Sequence, residues 1–152
     1  MRKRQVTRRV FVTVGALVGL NSLSGCSQLS LGESPSKLGR IQVENRDDSP
    51  HTVHLLVERD GDIVYWQSFA LEATTENDRG QTVRDIRTVS RSEWGDTRGD
   101  YTVRARLDDE TDMTTDDVDH GSPCELLNVI VHGEPETASL SIINAPANEN
   151  CN

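Results

Sequence analysis

The chain has 152 residues, of which 34% are hydrophobic, 27% charged and 4% aromatic, with a formal net charge of −9 at pH 7. That length suits one domain with a modest core behind a leader segment. The acid excess excludes a nucleic-acid binder, whose phosphate partner requires a basic face, and it excludes docking onto anionic lipid by charge alone.

The leader comes first. Arg2, Lys3, Arg4, Arg8 and Arg9 open the chain without an acid, and an uncharged, mostly apolar run follows from Val10 to Gly25. The run is too short, and too rich in Gly, Ser and Thr, for a spanning helix of ~20 apolar residues. A buried core helix would show polar positions at helical period, which is not the pattern of this run. A basic start, a short apolar region and a small-residue cleavage site are the parts of an export signal. Thr7-Arg8-Arg9-Val10-Phe11-Val12 resembles the twin-arginine export motif, with Arg8 and Arg9 as the pair that a receptor reads. Leu23-Ser24-Gly25-Cys26 resembles a lipobox, which implies that Cys26 becomes the first mature residue and carries lipid on its sulfur. The expected organisation is a signal peptide over 1–25, a lipidated tether over 26–37 and a folded domain over 38–152. The tether, SQLSLGESPSK, has the Ser, Gly and Pro content of a flexible spacer.

All five basic residues of 1–25 leave with the signal and no acid does. The 127 residues that remain hold 11 Lys and Arg against 25 Asp and Glu, a formal charge of −14, and their one lysine is Lys37. Disorder is one reading of such a composition, but period-2 apolar patterning over 38–143 argues for a folded domain. A folded surface this acidic tolerates its own repulsion best where salt screens charge within a few ångströms.

The elements follow in order. Leu38 to Asn45 alternates Ile41 and Val43 with Gln42 and Glu44 and reads as a half-buried strand. RDDSP at 46–50 is a turn cluster. His51 to Arg59 and Asp62 to Leu71 flank Asp60-Gly61, a strong two-residue hairpin signal. The second of these strands carries aromatics on both sides, as a central strand does, and its inward face is left open. A polar loop over 72–81 precedes a half-apolar strand over 82–89, expected to be exposed or at an edge. A loop with Trp94 leads into the well-alternated strand 100–107. The acidic stretch 108–123 reads as a loop, and strands over 124–132 and 137–144 close the domain before a polar tail. About seven short strands without a helix predict an all-β fold, an antiparallel β-sandwich.

Gly99-Asp100-Tyr101-Thr102-Val103 resembles the G-x-Y-x-V strand of immunoglobulin-like sandwiches, and the opening Ile41-x-Val43-x-Asn45 is similar to small exported sandwiches. Acidic bias, scarce Lys and the twin-arginine signal make the whole resemble haloarchaeal surface lipoproteins with an Ig-like or transthyretin-like domain. That resemblance implies no catalytic residues.

Candidate sites are few. Cys124 and Cys151 are an even pair in an exported chain and are expected to form a disulfide. The loop closed would be about 27 residues, worth ~3–4 kcal/mol in chain entropy; metal ligation by the pair is the alternative, and zinc needs more ligands at closer spacing. Asp116, Asp117 and Asp119 in the acidic stretch are weak calcium candidates, because an oxygen-rich loop suits that ion but the distal ligands of a calcium loop are missing. Cys124 is not followed by the His and Met of a blue-copper site. His51 and His54 are three apart, so on a strand they face opposite sides and do not form a zinc pair. There is no G-x-S-x-G elbow and no H-E-x-x-H. Tyr65, Trp66, Phe69 and Trp94 offer a carbohydrate-stacking surface if they are not core, and Trp94, in a polar loop, fits the core reading least. The expectation is a non-enzymatic binding or structural module of the cell envelope, without a cofactor. It would sit on the outer face of the cytoplasmic membrane with an envelope protein as its partner; a cation or carbohydrate ligand is the alternative.

Overall fold

The computed structural model describes residues 35–118, 124–133 and 137–145, all of which belong to one compact unit spanning Leu31–Asn152. The expected export signal with Arg8 and Arg9, the lipobox with Cys26, and also Asp119 and Cys151, lie outside the described residues. Among the described residues no helix is long and apolar enough to cross a membrane.

The described residues form ten strands: β1 (Leu38–Asn45), β2 (His51–Arg59), β3 (Asp62–Leu71), β4 (Thr75–Glu76), β5 (Thr82–Val83), β6 (Ile86–Ser90), β7 (Tyr101–Leu107), β8 (Thr114–Asp117), β9 (Glu125–His132) and β10 (Ser139–Ala145). A 3-10 turn at Arg91–Glu93 interrupts them. They form a first sheet in the order β10-β9-β1-β6, a second in the order β3-β2-β7-β8, and a two-stranded ribbon of β4 and β5. Alternation dictates which side of each main strand is apolar. Ile41 and Val43 of β1 with Leu127, Val129 and Val131 of β9 meet Val53, Leu55 and Val57 of β2 and Val103, Ala105 and Leu107 of β7 in one buried cluster. The protein is a β-sandwich.

The hairpin signal at Asp60-Gly61 is realised. Both residues take positive φ, 54° and 85°, the requirement of the tight turn whose twist matches its strands. Strands β1, β2 and β3 fall on the expected residues.

Several expectations need correction. The sandwich is not purely antiparallel, because β1 pairs parallel with β9 while pairing antiparallel with β6; alternation specifies a strand's faces but not its direction. The strand expected over 82–89 is broken at Arg84 and Asp85, which leave the ladder for other partners. Arg84 Nη1 reaches Glu44 at 3.1 Å, and Asp85 Oδ2 accepts the Glu72 N–H at 3.0 Å. The remaining piece, β6, is an edge strand as expected. The acidic stretch is not all loop: Thr114–Asp117 is strand β8 on β7. Strand β3 is an edge, not a central strand. Its two aromatic faces have different reasons: Tyr65 and Phe69 pack on the core, and Trp66 stands out into solvent, 70% exposed.

Trp94 is a core residue, 5% exposed. Its indole N–H donates to the Leu38 carbonyl at 2.8 Å, and its ring meets Tyr65 edge-on, centroids 5.8 Å apart at 76°. The 3-10 turn folds the polar loop back so that the indole closes one end of the core. Satisfying its N–H on a backbone carbonyl is what lets it be buried. A sugar-stacking role for Trp94 is thereby removed.

Candidate functional site

Two arrangements stand out. One is the outer face of the second sheet. Because Val53, Leu55 and Val57 point inward, His54, Leu56 and Glu58 point outward, and register fixes their neighbours. Leu56 lies between Trp66 and Arg104, His54 between Ser68 and Arg106, and Glu58 between Ile63 and Thr102. A bulge at Val57/Glu58 lets Val64 slip out of step and turns Ile63 to this face. Trp66 and Ile63 are 70% and 57% exposed. They form an apolar ridge along an edge strand, with polar side chains inboard of it.

Most of those polar groups answer one another. Arg104 Nε donates to Glu58 Oε2 at 3.0 Å, Thr102 Oγ1 to Asp117 Oδ1 at 2.8 Å, and His54 Nδ1 lies 2.6 Å from Ser68 Oγ. Arg106 is the exception: its Nε is buried and has no hydrogen-bond partner. The His54–Ser68 contact has the separation of a base and a nucleophile, but a catalytic pair also needs a third group to orient the base, and no carboxylate hydrogen-bonds His54 among the described residues. A second cross-strand pair, His132 Nε2 to Ser141 Oγ at 2.7 Å, shows the same contact on the other sheet. Both read as strand-to-strand polar pairs.

The other arrangement sits at one end of the sandwich, beside a cleft of about 260 Å³ lined by Pro50, His51, Thr52, Leu71, Glu72 and Asp108. His51 Nε2 lies 2.7 Å from Asp47 Oδ2, and Nδ1 lies 2.7 Å from Asp108 Oδ2. Only the doubly protonated ring satisfies two carboxylates at once. Burial works against the charged ring, but the hydrogen bonds to Asp108 and Asp47 outweigh it and hold the His51 pKa above the usual histidine value. The bond from His51 holds Asp47 below the usual carboxylate range. Asp108 is opposed by burial, yet is lowered overall by the Thr52 N–H and by His51.

The chain builds this clamp locally. Asn45, fully buried, donates through Nδ2 to the Ser49 and Glu72 carbonyls at 2.8 and 2.9 Å and accepts the Asp47 N–H at 2.9 Å. The RDDSP turn is thereby wound around a saturated amide, which aims Asp47 at His51. Asp108 sits at φ 45°, a left-handed position that Asp tolerates. There it exchanges two bonds with Thr52 beyond the end of the β2–β7 ladder: its N–H donates to the Thr52 carbonyl and its Oδ1 accepts the Thr52 N–H, each at 2.7 Å. The two carboxylates take opposite ring nitrogens, so the trio cannot converge on one cation. No group of three or more His, Cys, Asp and Glu is placed to hold a metal among the described residues.

The residues singled out from sequence are scattered. Asp116 and Asp117 are successive residues of β8, so their side chains leave opposite faces of the strand. Asp117 is held by Thr102, whereas Asp116 lies opposite Val103, its pKa raised by burial and then by Asp117 and Glu125. Cys124 is buried immediately before β9. His51 and His54 do face opposite sides, as their spacing predicts. Sequence reasoning missed the clamp, since its three members are brought together only by the β1–β2 turn and the end of β7.

No protein-family model and no curated protein matches the chain. One solved structure it resembles is that of a candidate cell adhesion protein from Bacteroides fragilis NCTC 9343, at 13% identity and a TM-score of 0.31, with 74% of this chain and 46% of that chain covered. This chain therefore spans less than half of that protein's length, and a likeness of that size bears on neither ligand nor activity.

Proposed function

We propose that the chain is a non-enzymatic, lipid-anchored binding or structural module of the cell envelope. Its signal at Arg8 and Arg9 directs twin-arginine export, Cys26 anchors it on the outer face of the cytoplasmic membrane, and a Cys124–Cys151 disulfide ties its tail to an Ig-like or transthyretin-like domain. It meets an envelope component through the outer face of the β3-β2-β7-β8 sheet. The observation that carries this reading is Trp66, an indole 70% exposed on the edge strand β3, beside Leu56 of β2. Large exposed aromatics on an otherwise polar face mark contact surfaces. A cation ligand is less favoured, because Asp116 and Asp117 diverge.

Chemical crosslinking on intact cells, in their native salt, tests it. The wild-type chain is expected to crosslink to one stoichiometric envelope component and to fractionate with membranes. Trp66→Ala is expected to lose the crosslink and keep the membrane, and Cys26→Ser to lose the membrane. A crosslink indifferent to Trp66→Ala would refute the assignment of this face.

A further inference from the structure

We propose that the Trp66 face binds an oligosaccharide of acidic sugars, one ring stacking on Trp66 and the carboxylate of a neighbouring ring meeting Arg106 and His54. The proposal rests on the reading of this face as the contact surface and names its ligand. Three features of the face fit that chemistry and no other surface of the described residues combines them.

The first is a flat apolar platform. Trp66 is 70% exposed and is flanked by half-buried Leu56, so the indole stands on the sheet with its body free for the C–H face of a pyranose. The second is an unanswered cation. In a chain with nine more acids than bases, Arg106 faces outward next to last on β7, just past the pairing with β8, without an ion pair among the described residues; its Nε is buried without a partner, so a ligand would meet its terminal Nη groups. A guanidinium keeps its charge at any working pH and takes carboxylates through paired N–H donors. Its cross-strand neighbour His54 uses only Nδ1, on Ser68, and so leaves Nε2 to hydrogen-bond a ligand. The third is spacing. Strands lie about 4.8 Å apart and residues two apart on a strand about 6.8 Å apart, which puts Trp66 and Arg106 roughly 12 Å from each other at the backbone. One sugar ring does not bridge that distance once the side chains lean in, but two linked rings do.

The charges around the centre argue for a small acidic group over a broad anionic surface. Glu58 and Asp117 lie at one end of the face and Asp108 lies beside Thr52 at the other, so a broad anionic surface would meet acids on both sides of Arg106. A single carboxylate reaches Arg106 between them.

Isothermal titration of the full chain with tri-galacturonate, and with its fully methyl-esterified form, tests the proposal. The ester keeps the rings and removes the charge. The acid form is expected to bind and the ester to bind at least about tenfold more weakly, as one lost charge-assisted contact implies. Trp66→Ala is expected to abolish binding and Arg106→Gln to weaken the acid form about ten- to a hundredfold while leaving the weak ester binding unchanged. Thermal melts of both variants guard against misfolding. Equal binding of acid and ester would overturn the carboxylate assignment even if Arg106→Gln does not fold. Absence of sugar binding while Trp66→Ala still abolishes the cellular crosslink would overturn the sugar and leave the contact face standing. Loss of neither would remove both. Sedimentation of the unlipidated Cys26→Ser chain with phosphatidylglycerol vesicles through Trp66, or binding of an acidic peptide in place of the sugar, would also overturn it.

Discussion

Replacing His51 by Gln removes the charge from the clamp and leaves Asp47 and Asp108 facing each other across the space that the imidazolium filled. The cost follows from the geometry. Each of the two contacts is 2.7 Å, and a hydrogen bond between charged groups contributes ~1.5–3 kcal/mol. His51 and Asp47 are 11% and 15% exposed, so their bond keeps most of that value. Asp108 is 44% exposed, and solvent reduces its share to ~0–1 kcal/mol. The expected loss is about 2–4 kcal/mol. In a domain of this size 1 kcal/mol moves Tm by ~4–5 °C, so the substitution is expected to lower Tm by roughly 8–20 °C. The difference depends on pH in a definite way. A histidine whose folded pKa is raised contributes fully below its unfolded value of ~6.5 and loses that contribution as pH rises through the folded value. Carboxylates whose folded pKa values are lowered contribute above ~3.9 and lose their contribution as pH falls through the folded values. The clamp is therefore strongest between about pH 4 and pH 6.5. Calorimetry of wild type and His51→Gln at fixed ionic strength, from pH 4 to 9, is the assay. The gap in Tm should be widest near pH 5.5 and should narrow toward pH 9. A gap that is constant with pH, or that widens as pH rises, would refute the imidazolium.

Four further outcomes are expected. Asn45→Ala should lower stability by about 2–4 kcal/mol, since it strands the Ser49 and Glu72 carbonyls and the Asp47 N–H, and chemical denaturation reads it directly. Gly133→Ala should destabilise and also flatten the pH profile just described, because a Cβ there would lie 2.6 Å from Asp47 Oδ1 and push that carboxylate off His51; a stable variant with the wild-type pH profile would count against the clamp. Asp116→Asn should raise Tm at pH 7, because the raised carboxylate pKa means that ionising Asp116 opposes folding, and the gain should vanish as pH falls through that pKa. Thiol titration of the unfolded, unreduced mature chain should find no free thiol if Cys26 carries lipid and Cys124 pairs with Cys151, and two if the pair is reduced.

How much of this was legible in the sequence depends on the range over which each feature is decided. Strands β1, β2 and β3 are settled within themselves, by alternation and by Asp60-Gly61, and their boundaries follow from the residues alone. The break at Arg84 and Asp85 is not, because it depends on the Glu44 carboxylate 40 residues from Arg84 and on the Glu72 backbone N–H 13 residues from Asp85. Trp94 misled for a related reason. Its flanks are polar, so local composition places it outside, but one carbonyl at Leu38 and one ring at Tyr65 give it a satisfied place within. The clamp is the extreme case. Asp47 reads as a turn residue, His51 as the first residue of a strand and Asp108 as part of an acidic run, and only the β1–β2 turn and the β2–β7 pairing make them one unit.

Outward-facing charges in a sandwich have no packing role, so the physical question is whether each has a partner. On the first sheet Glu44 is answered twice, by Arg46 at 2.9 Å and Arg84 at 3.1 Å, and His132 is answered by Ser141. On the second sheet Glu58 answers Arg104 and Thr102 answers Asp117. Against that pairing, Arg106 on the same sheet has no ion pair among the described residues, and its buried Nε has no partner, which costs stability. It stands two strands away from an indole that burial would have stabilised and that is instead left in solvent. An exposed indole and an arginine without an ion pair on one face are what a ligand with both an apolar ring face and an anionic group would cover.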